Sequence, residues 1–487
     1  MPRLKNIITG IDFTSTHGAL EREIVSVRAD SRKVEKDSLF VAIKGLQTDG
    51  HQYIDQAIAQ GAVAILAEQI PDTLQPGVSY LVADNSARAL GLVAANFYDN
   101  PSQHLKVVGV TGTNGKTTTA TLLFRLFRKL GYNTGLLSTV QNQINEDIIP
   151  TVYTTPDPLV LQSLLAEMVH RGCTHCFMEV SSHALAQERV AGLSFTGAIF
   201  TNITHDHLDF HQTFDNYIRA KKKLFDALPA EAFAVVNIDD KRGLVMLQNC
   251  QAQIQKSFAL RSPADFKARL IENTLEGLLL DIEDQEVWFR LIGDFNAYNL
   301  LGVYTAAVLL GEKEADVLTE LSSIGPAPGR FEQVHSPQSI TAIVDYAHTP
   351  DALKNVLMTV EQLKQSDQQV ITVVGCGGDR DRSKRPVMAR IAVEFSDQVI
   401  FTSDNPRHED PWQILSNMTE VLSPIEKAKV QVIENRREAI QTACNLAQGR
   451  DIIMVAGKGH ETYQEIKGQR YPFDDREVLK EFLNHKQ

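Results

Sequence analysis

Val107-Val-Gly-Val-Thr-Gly-Thr-Asn-Gly-Lys-Thr-Thr-Thr119 passes from an apolar β-type run through a glycine-rich turn into a helical segment. Such a succession aims backbone N–H groups and the positive end of a helix at phosphate. Gly112, Thr113, Asn114 and Gly115 make the turn. Lys116 reaches the outer phosphates, and the Thr117 hydroxyl, next to Thr118, is placed for Mg²⁺. Valine stands at position 110, where the general phosphate-loop pattern has its first glycine, so the loop is a compact variant. An ordinary strand-to-helix turn is the competing reading, but it has no need of Lys-Thr at the helix start.

Around this loop, 487 residues are too many for one core. Three blocks are expected, at 1–104, 105–333 and 334–487. The 43% hydrophobic content is that of a globular chain. A net charge of −12 argues against nucleic acid as the main partner. No apolar run reaches the roughly 20 residues of a membrane helix, and the N-terminus lacks the apolar core of a signal peptide. Five cysteines make no disulfide framework, so a cytoplasmic location is expected. Cys173-Thr-His-Cys176 is a lone CxxC and reads as packing.

The first block mixes β-type runs at 38–43 and 62–66 with a helix around 53–60. In the second, β and α patterns alternate, with further buried strands at 192–203 and 232–237. In the third, strands at 342–345, 370–375, 398–403, 430–434 and 451–456 are separated by helical segments of about 10–15 residues. That alternation implies a doubly wound parallel sheet. Pro326-Ala-Pro-Gly-Arg330 is the expected hinge between the last two blocks.

Working residues of such sheets stand beyond the C-terminal ends of strands. Cys176-Phe-Met-Glu179-Val-Ser181-Ser-His183 puts a carboxylate at one end, and Asn202-Ile-Thr-His205-Asp-His207-Leu-Asp-Phe-His211 follows the next strand. Carboxylate, imidazole and loop threonine make a hard-cation set, although Mg²⁺ seldom uses histidine. His205 and His211 read as bystanders, with Asp206 or Asp209 capping a helix. Phe214, Tyr217, Ile218, Leu224 and Phe225 recur at helical spacing, and Lys221 shares their face. A lysine buried there must be paired, lose its proton or be modified. By spacing alone, snorkelling or a salt bridge is the common answer. In the third block, Asp345-Tyr-Ala-His348, Gly375-Cys-Gly-Gly-Asp379-Arg380, Asp404-Asn405-Pro406-Arg407 and Gly457-Lys458-Gly459-His460-Glu461 follow successive strands. Any one reads as exposed loop charge, but together they make an anion-binding cleft.

Asp30-Ser-Arg32, Gly112-Thr-Asn-Gly-Lys-Thr-Thr118, Met178-Glu-Val-Ser-Ser-His183, Asp206-His-Leu-Asp209, Tyr217-x-x-Ala-Lys221, Asn296-x-x-Asn299, Gly329-Arg330, Asp345-Tyr-Ala-His-Thr-Pro-Asp351, Gly378-Asp-Arg-Asp381 and Asp404-Asn-Pro-Arg407 together resemble the Mur ligases of peptidoglycan synthesis. The resemblance covers essentially the whole chain and is closest to the MurE type. It implies an α/β, three-domain architecture: a UDP-substrate domain, a central P-loop parallel-sheet domain and a C-terminal Rossmann-like doubly wound domain. Ala29, Ser31, Gln47 and Thr48 would hold the uridine nucleotide, and Tyr153, Thr154, Thr155, Ser181, Gln187 and Arg189 the muramoyl-dipeptide. Asn296, Asn299, Arg330, Asp345 and His348 would surround ATP with the loop. Thr117, Glu179, His207 and a carbamylated Lys221 would bind Mg²⁺, with Lys116, Glu179, His207 and Lys221 carrying catalysis. Arg380, Asp404, Asn405, Pro406, Arg407, Gly457 and Glu461 would grip meso-diaminopimelate. Tyr153 stands where the family often has asparagine, and Leu46 where it can have histidine.

The implied activity is that of a bacterial cytoplasmic ligase, expected to act as a monomer without a membrane span. It would use ATP and Mg²⁺ to add meso-diaminopimelate to UDP-N-acetylmuramoyl-L-alanyl-D-glutamate. Folylpolyglutamate synthase is the nearest rival, disfavoured by the complete first block and by Asp-Asn-Pro-Arg. A nucleotide-binding protein that ligates nothing would have no need of the second cleft.

Overall fold

Three large sheets divide the chain in the computed structural model, which describes residues 1–45, 48–151, 153–337 and 339–485. The first orders Ser15–His17, Ser79–Val82, Ala62–Ala67, Ser38–Val41 and Ser26–Arg28. All its pairings are parallel except that of the edge strand Ser15–His17.

The second sheet is built around Lys106–Thr111, the strand that feeds the glycine-rich turn. Its neighbours Gly197–Phe200 and His175–Glu179 run parallel to it. Glu179 pairs with Val110 and Phe200 with Thr111, so all three strands end almost level. Everything that follows them therefore opens on one edge. Both faces are covered: Val107, Val108, Val110 and Thr111 are fully buried. This explains the continuous apolar run in place of an alternation.

The structure departs from simple β/α alternation over 266–289. Phe266–Thr274, Gly277–Ile282 and Gln285–Phe289 form an antiparallel meander that extends the sheet to eleven strands. Leu278, Leu280 and Ile282 are buried while the residues between them are partly exposed, the period-two pattern of a half-buried strand. The strand expected at 192–203 is confined to Gly197–Phe200.

In the third sheet the order is Glu332–His335, Thr341–Asp345, Ile452–Ala456, Val370–Val374, Gln398–Phe401 and Val430–Val432. Only the first strand is antiparallel. It straddles the boundary expected at 333/334. The intervening helices Pro350–Leu363, Lys384–Glu394, Pro411–Thr419 and Arg436–Leu446 complete the doubly wound pattern. Among the described residues no helix is long and apolar enough to cross a membrane. Cys173 and Cys176 are both buried with free thiols, so they pack as expected.

A fully buried ion pair closes this sheet. Arg436 Nε and Nη2 each donate to the Asp475 carboxylate at 2.8 Å, and Nη2 also donates to Ala456 O at 3.0 Å. Asp475 opens the last helix, Asp475–His485, so that helix is tied to the end of strand Ile452–Ala456. Removing one partner strands a charge without water. Asp475→Asn should lower unfolding free energy by about 3–5 kcal/mol, read as a fall in the urea midpoint at constant m-value. An unchanged midpoint contradicts this.

Candidate active site

The glycine-rich turn is pinned from the neighbouring strand. Thr113 N donates to Asn202 O at 2.9 Å, Asn114 N to Asn202 Oδ1 at 2.9 Å, and Thr201 Oγ1 to Asn114 O at 2.6 Å. A Cβ on Gly112 would lie 1.9 Å from Thr201 Oγ1, and one on Gly115 (φ +87°) 2.4 Å from Asn299 Oδ1. Glycine is needed at both because backbone and side chains close in on the turn.

Two lysines meet on this turn. Lys116 Nζ donates to Gly112 O at 3.0 Å and Thr113 O at 2.9 Å, and Lys221 Nζ donates to the same Gly112 O at 2.6 Å. Lys221 is 1% exposed, on helix Phe214–Asp226, with its amine 4.5 Å from the Tyr217 ring centre. The salt bridge that spacing suggested is not formed among the described residues. Burial, and then the Lys116 charge, hold the Lys221 pKa well below its ordinary value, while Asp206 opposes. Lys221 is thus biased towards a neutral amine.

Thr117 Oγ1 donates to Glu179 Oε1 at 2.9 Å and accepts from Arg330 Nη2 at 3.0 Å. Glu179 is 1% exposed and also accepts from Thr139 N at 2.7 Å and Thr139 Oγ1 at 3.2 Å. His207 is drawn down to about 4 by burial, against Asp206; its ring is therefore neutral at physiological pH and free to act as a ligand. His205 stacks on Phe214, and His211 bonds Ser182 Oγ at 2.9 Å, as bystanders would. Neither Asp206 nor Asp209 caps the next helix, Leu208–His211. Asp206 instead accepts the N–H of His207, which starts that helix without a side-chain cap.

These donors fit a hard cation at the Thr117–Glu179 end, where hydroxyl and carboxylate oxygens meet beside the phosphate turn. No group of three or more His, Cys, Asp and Glu side chains gathers as a metal site among the described residues. A cation there would therefore take most of its ligands from phosphate and water, as Mg²⁺ commonly does.

Two cavities flank the turn. One of about 490 Å³ runs from Asn114 and Thr118 to Asn296, Asn299 and Asp345. Asn299 Nδ2 donates to Asn296 Oδ1 at 2.9 Å, and Asn296 Nδ2 to Ile292 O at 2.8 Å, so each amide is oriented. Asp345 accepts from Phe331 N at 2.7 Å, and burial pushes its pKa up to about 6 against Arg330. Residues outside the sequence-derived set also line this cavity: Asn202, Asp239, Tyr298 and Asp351. Asp351 accepts from Asn114 Nδ2 at 2.8 Å and Thr204 Oγ1 at 3.0 Å, latching the third block to the turn. Position beyond a strand end was the available signal for Asn202 and Asp239.

The second cavity, about 450 Å³, joins Lys116, Thr117, Glu179 and His207 to Arg189, His348 and Arg380. Tyr153, Thr154, Thr155 and Ser181 line it too. Thr155 Oγ1 donates to Glu179 O at 2.8 Å and accepts from Ser181 N at 3.1 Å. Arg189 donates to Thr155 O and to Gln187 Oε1, and its guanidinium lies 5.0 Å from the Tyr153 ring centre. Tyr153 therefore serves as a stacking surface for Arg189. His348 is exposed and held by Tyr346 O at 2.8 Å. Ala29, Ser31 and Thr48, in the first block, line neither cavity, and Gln47 and Leu46 lie outside the described residues.

Beside this cavity two loops of the third sheet are zipped together. Gly378 N donates to Asn405 O at 2.9 Å and Arg407 Nη1 to Gly378 O at 2.8 Å. Glu409 accepts from Asp379 N at 2.6 Å and from the fully buried Arg385 at 2.8 Å. A Cβ on Gly378 would lie 1.9 Å from Pro406 O. Arg407 has a left-handed backbone (φ 52°) and its guanidinium Nε is 3.6 Å from Glu465 Oε2. Neither Glu409 nor Asp410, its near neighbours in sequence, pairs with Arg407 among the described residues. Gly457 (φ +112°) lets the backbone approach Asp404, whose Oδ2 would be 2.6 Å from a Cβ there. Asn405 Nδ2 donates to Glu461 Oε2 at 2.8 Å.

A phosphate turn facing an arginine-rich loop pair across a cleft is the arrangement of a nucleotide-dependent, group-joining α/β enzyme. The chain belongs to the Mur ligase family. Residues 110–307 match the Mur ligase middle domain, 329–459 the Mur ligase glutamate ligase domain, and 23–100 the Mur ligase family catalytic domain. The chain is 56% identical over 483 residues to a UDP-N-acetylmuramoyl-L-alanyl-D-glutamate–2,6-diaminopimelate ligase of Cytophaga hutchinsonii, covering 99% of both. A solved ligase of the same description superposes with a TM-score of 0.70 at 32% identity, over 99% of this chain and 98% of that one. A folylpolyglutamate synthase of Mycobacterium tuberculosis shares the fold at 17% identity and TM-score 0.63, over 77% of this chain and 93% of that one.

Gly112→Ala drives a methyl into Thr201 Oγ1. Gly131 (φ +93°) has a similarly left-handed backbone but nothing within 4 Å of its Cβ position. Gly131→Ala should therefore cost backbone strain alone, of about 1–3 kcal/mol, and Gly112→Ala distinctly more. Thermal melts compare them, and equal losses contradict the packed turn.

Proposed function

We propose that this chain joins meso-diaminopimelate to UDP-N-acetylmuramoyl-L-alanyl-D-glutamate with ATP, in the making of bacterial peptidoglycan precursors. One observation carries the reading: the Arg407 loop is bonded to the Arg380 loop, and Arg380 reaches the cavity that holds Lys116 and Glu179. The names borne by relatives that match the full chain support it. Folylpolyglutamate ligation accounts for less, since that neighbour aligns with only 77% of the chain.

On this reading residues 1–104 hold the uridine end, through Ala29, Ser31, Gln47 and Thr48. Residues 105–333 hold ATP, and 334–487 the amino acid. The 490 Å³ cavity takes the nucleoside between Asn296, Asn299, Arg330 and Asp345, and His348 meets the phosphates from the second cavity. Arg189, Gln187, Thr155, Thr154, Tyr153 and Ser181 hold the muramoyl-dipeptide with its terminal carboxylate towards Lys116. That carboxylate attacks the γ-phosphorus of ATP, ADP leaves, and an acyl phosphate forms. The amine of diaminopimelate then attacks the acyl carbon and phosphate departs.

Lys116 exchanges its bonds to Gly112 O and Thr113 O for the transferring phosphoryl oxygens, offsetting charge where it moves. Arg330 orients the Thr117 hydroxyl, and Thr139 orients the Glu179 carboxylate. Mg²⁺, when bound, would supply charge neutralisation for the phosphates; Thr117 and Glu179 would hold it, with His207 and a carbamylated Lys221 as further ligands. The neutral amine of Lys221 is the form that adds to carbon dioxide, releasing one proton and leaving an anionic carbamate. Lys221→Ala should then lose most activity and regain part of it with added short carboxylic acids. Full activity without them removes the carbamate from the account.

Amino-acid choice tests the whole reading. Diaminopimelate differs from lysine by a distal carboxylate, to which the Arg407 guanidinium can donate parallel hydrogen bonds. Arg407→Ala should cost about 2–5 kcal/mol of diaminopimelate affinity, leaving the other two substrates nearly unaffected. Competition between the two amino acids, read by product mass, should yield the diaminopimelate product; a lysine product overturns the assignment.

A further inference from the structure

Lys458 is fully buried, yet the reading above gives it no task. It follows strand Ile452–Ala456, and its Nζ donates to Glu461 Oε2 at 3.0 Å and Asn405 Oδ1 at 3.0 Å, with Asp404 Oδ1 at 3.9 Å. The Tyr463 ring centre is 5.6 Å away. These bonds fix two choices. By taking Asn405 Oδ1, Lys458 forces the amide to present Nδ2 to Glu461 Oε2. Glu461 Oε2 then accepts twice, and Glu461 Oε1 has no partner among the described residues.

The cluster holds two carboxylates and one directly bonded cation, so its balance is anionic. Arg407 is joined to Asn405 through the loop zip. Together they complement an α-amino acid head, with ammonium against Glu461 and carboxylate against Arg407.

We infer that Lys458 is a positioning residue for amino-acid recognition, holding Glu461 in place and offsetting Asp404 so that Glu461 Oε1 receives the distal ammonium of the substrate. The inference rests on the diaminopimelate reading and deepens it. Its chemistry is that of a crowded carboxylate. Without a cation, two buried carboxylates share a proton, and a protonated Glu461 is a poor partner for ammonium. Burial and then Asp404 raise the Glu461 pKa, while Lys458 and the Asn405 hydrogen bond lower it. The other groups facing Glu461 are Tyr463 on the following hairpin, Tyr346 after strand Thr341–Asp345, and the buried Arg436.

The two neighbours thus act on Glu461 in opposite senses, which separates positioning from structural support. As pH falls through the Glu461 pKa, the ammonium loses its partner and KM for diaminopimelate rises. Lys458→Met raises that pKa, so the rise begins at higher pH. Asp404→Asn lowers it, so the rise begins at lower pH.

The experiment measures KM for meso-diaminopimelate against pH in the full-length enzyme and both variants, with KM for ATP and for the UDP-substrate at each pH. In Lys458→Met, KM for diaminopimelate at neutral pH should increase on the order of a hundredfold and partly recover in alkali. In Asp404→Asn the acid limb should move to lower pH. The other two KM values should stay put. If the methionine variant does not fold, the direction of the Asp404→Asn limb decides alone. A limb that stays in place in the folded variants, while the unmodified enzyme uses diaminopimelate, overturns the role of Lys458. An unmodified enzyme that fails with diaminopimelate at every pH overturns the functional reading, and this inference with it.

Discussion

Two lysine amines converge on the carbonyl oxygen of Gly112, and the site is arranged around that crowding. Lys116 and Lys221 cannot both keep a full charge at one buried acceptor without cost. The burden falls on Lys221, sealed beneath Tyr217 on an apolar helix face. Lys116 instead borders the cleft, bonded only to backbone carbonyls of its own turn. It is free to move to phosphate, because nothing but those two bonds is lost. The bias of Lys221 towards a neutral amine and the backbone-only bonding of Lys116 are thus two consequences of one packing constraint.

The same constraint depends on the level ending of three parallel strands. Because Lys106–Thr111, His175–Glu179 and Gly197–Phe200 stop together, Gly112, Glu179 and Thr201 are brought within a few ångströms of the helix start at Lys116. Arg330, at the end of the hinge, and Asp351, beyond it, then bond to Thr117 and Asn114. The third sheet is therefore held over the turn by bonds to the residues that would handle phosphate. Opening the cleft breaks these bonds, and binding in it can replace them.

Much of this was legible in the chain. The buried strands of the third block announce themselves as apolar runs at βαβ spacing, and the compact loop declares itself by Gly-Lys-Thr. Lys221 could be placed on an apolar face, though not its neighbour Lys116, since that contact joins segments far apart in sequence. The meander over 266–289 was hidden because its strands carry charged residues on their open face, as in Lys267, Arg269 and Glu286. Arg407 was visible but its partner was not: Glu465 arrives on the hairpin of Tyr463–Ile466 and Gln469–Pro472. Asp404, Asn405, Lys458 and Glu461 likewise follow Gln398–Phe401 and Ile452–Ala456, the two strands that flank Val370–Val374, a placement only the sheet order reveals.

On the proposed function, phosphate transfer and amide formation are one coupled process, with the acyl phosphate consumed by an amine held over the turn. The most direct test is phosphate release measured with ATP and Mg²⁺ while each remaining substrate is omitted in turn. Sustained release should require both the UDP-muramoyl-dipeptide and meso-diaminopimelate, with one phosphate per tripeptide product. Sustained release without either substrate, or release that diaminopimelate does not stimulate, would contradict it.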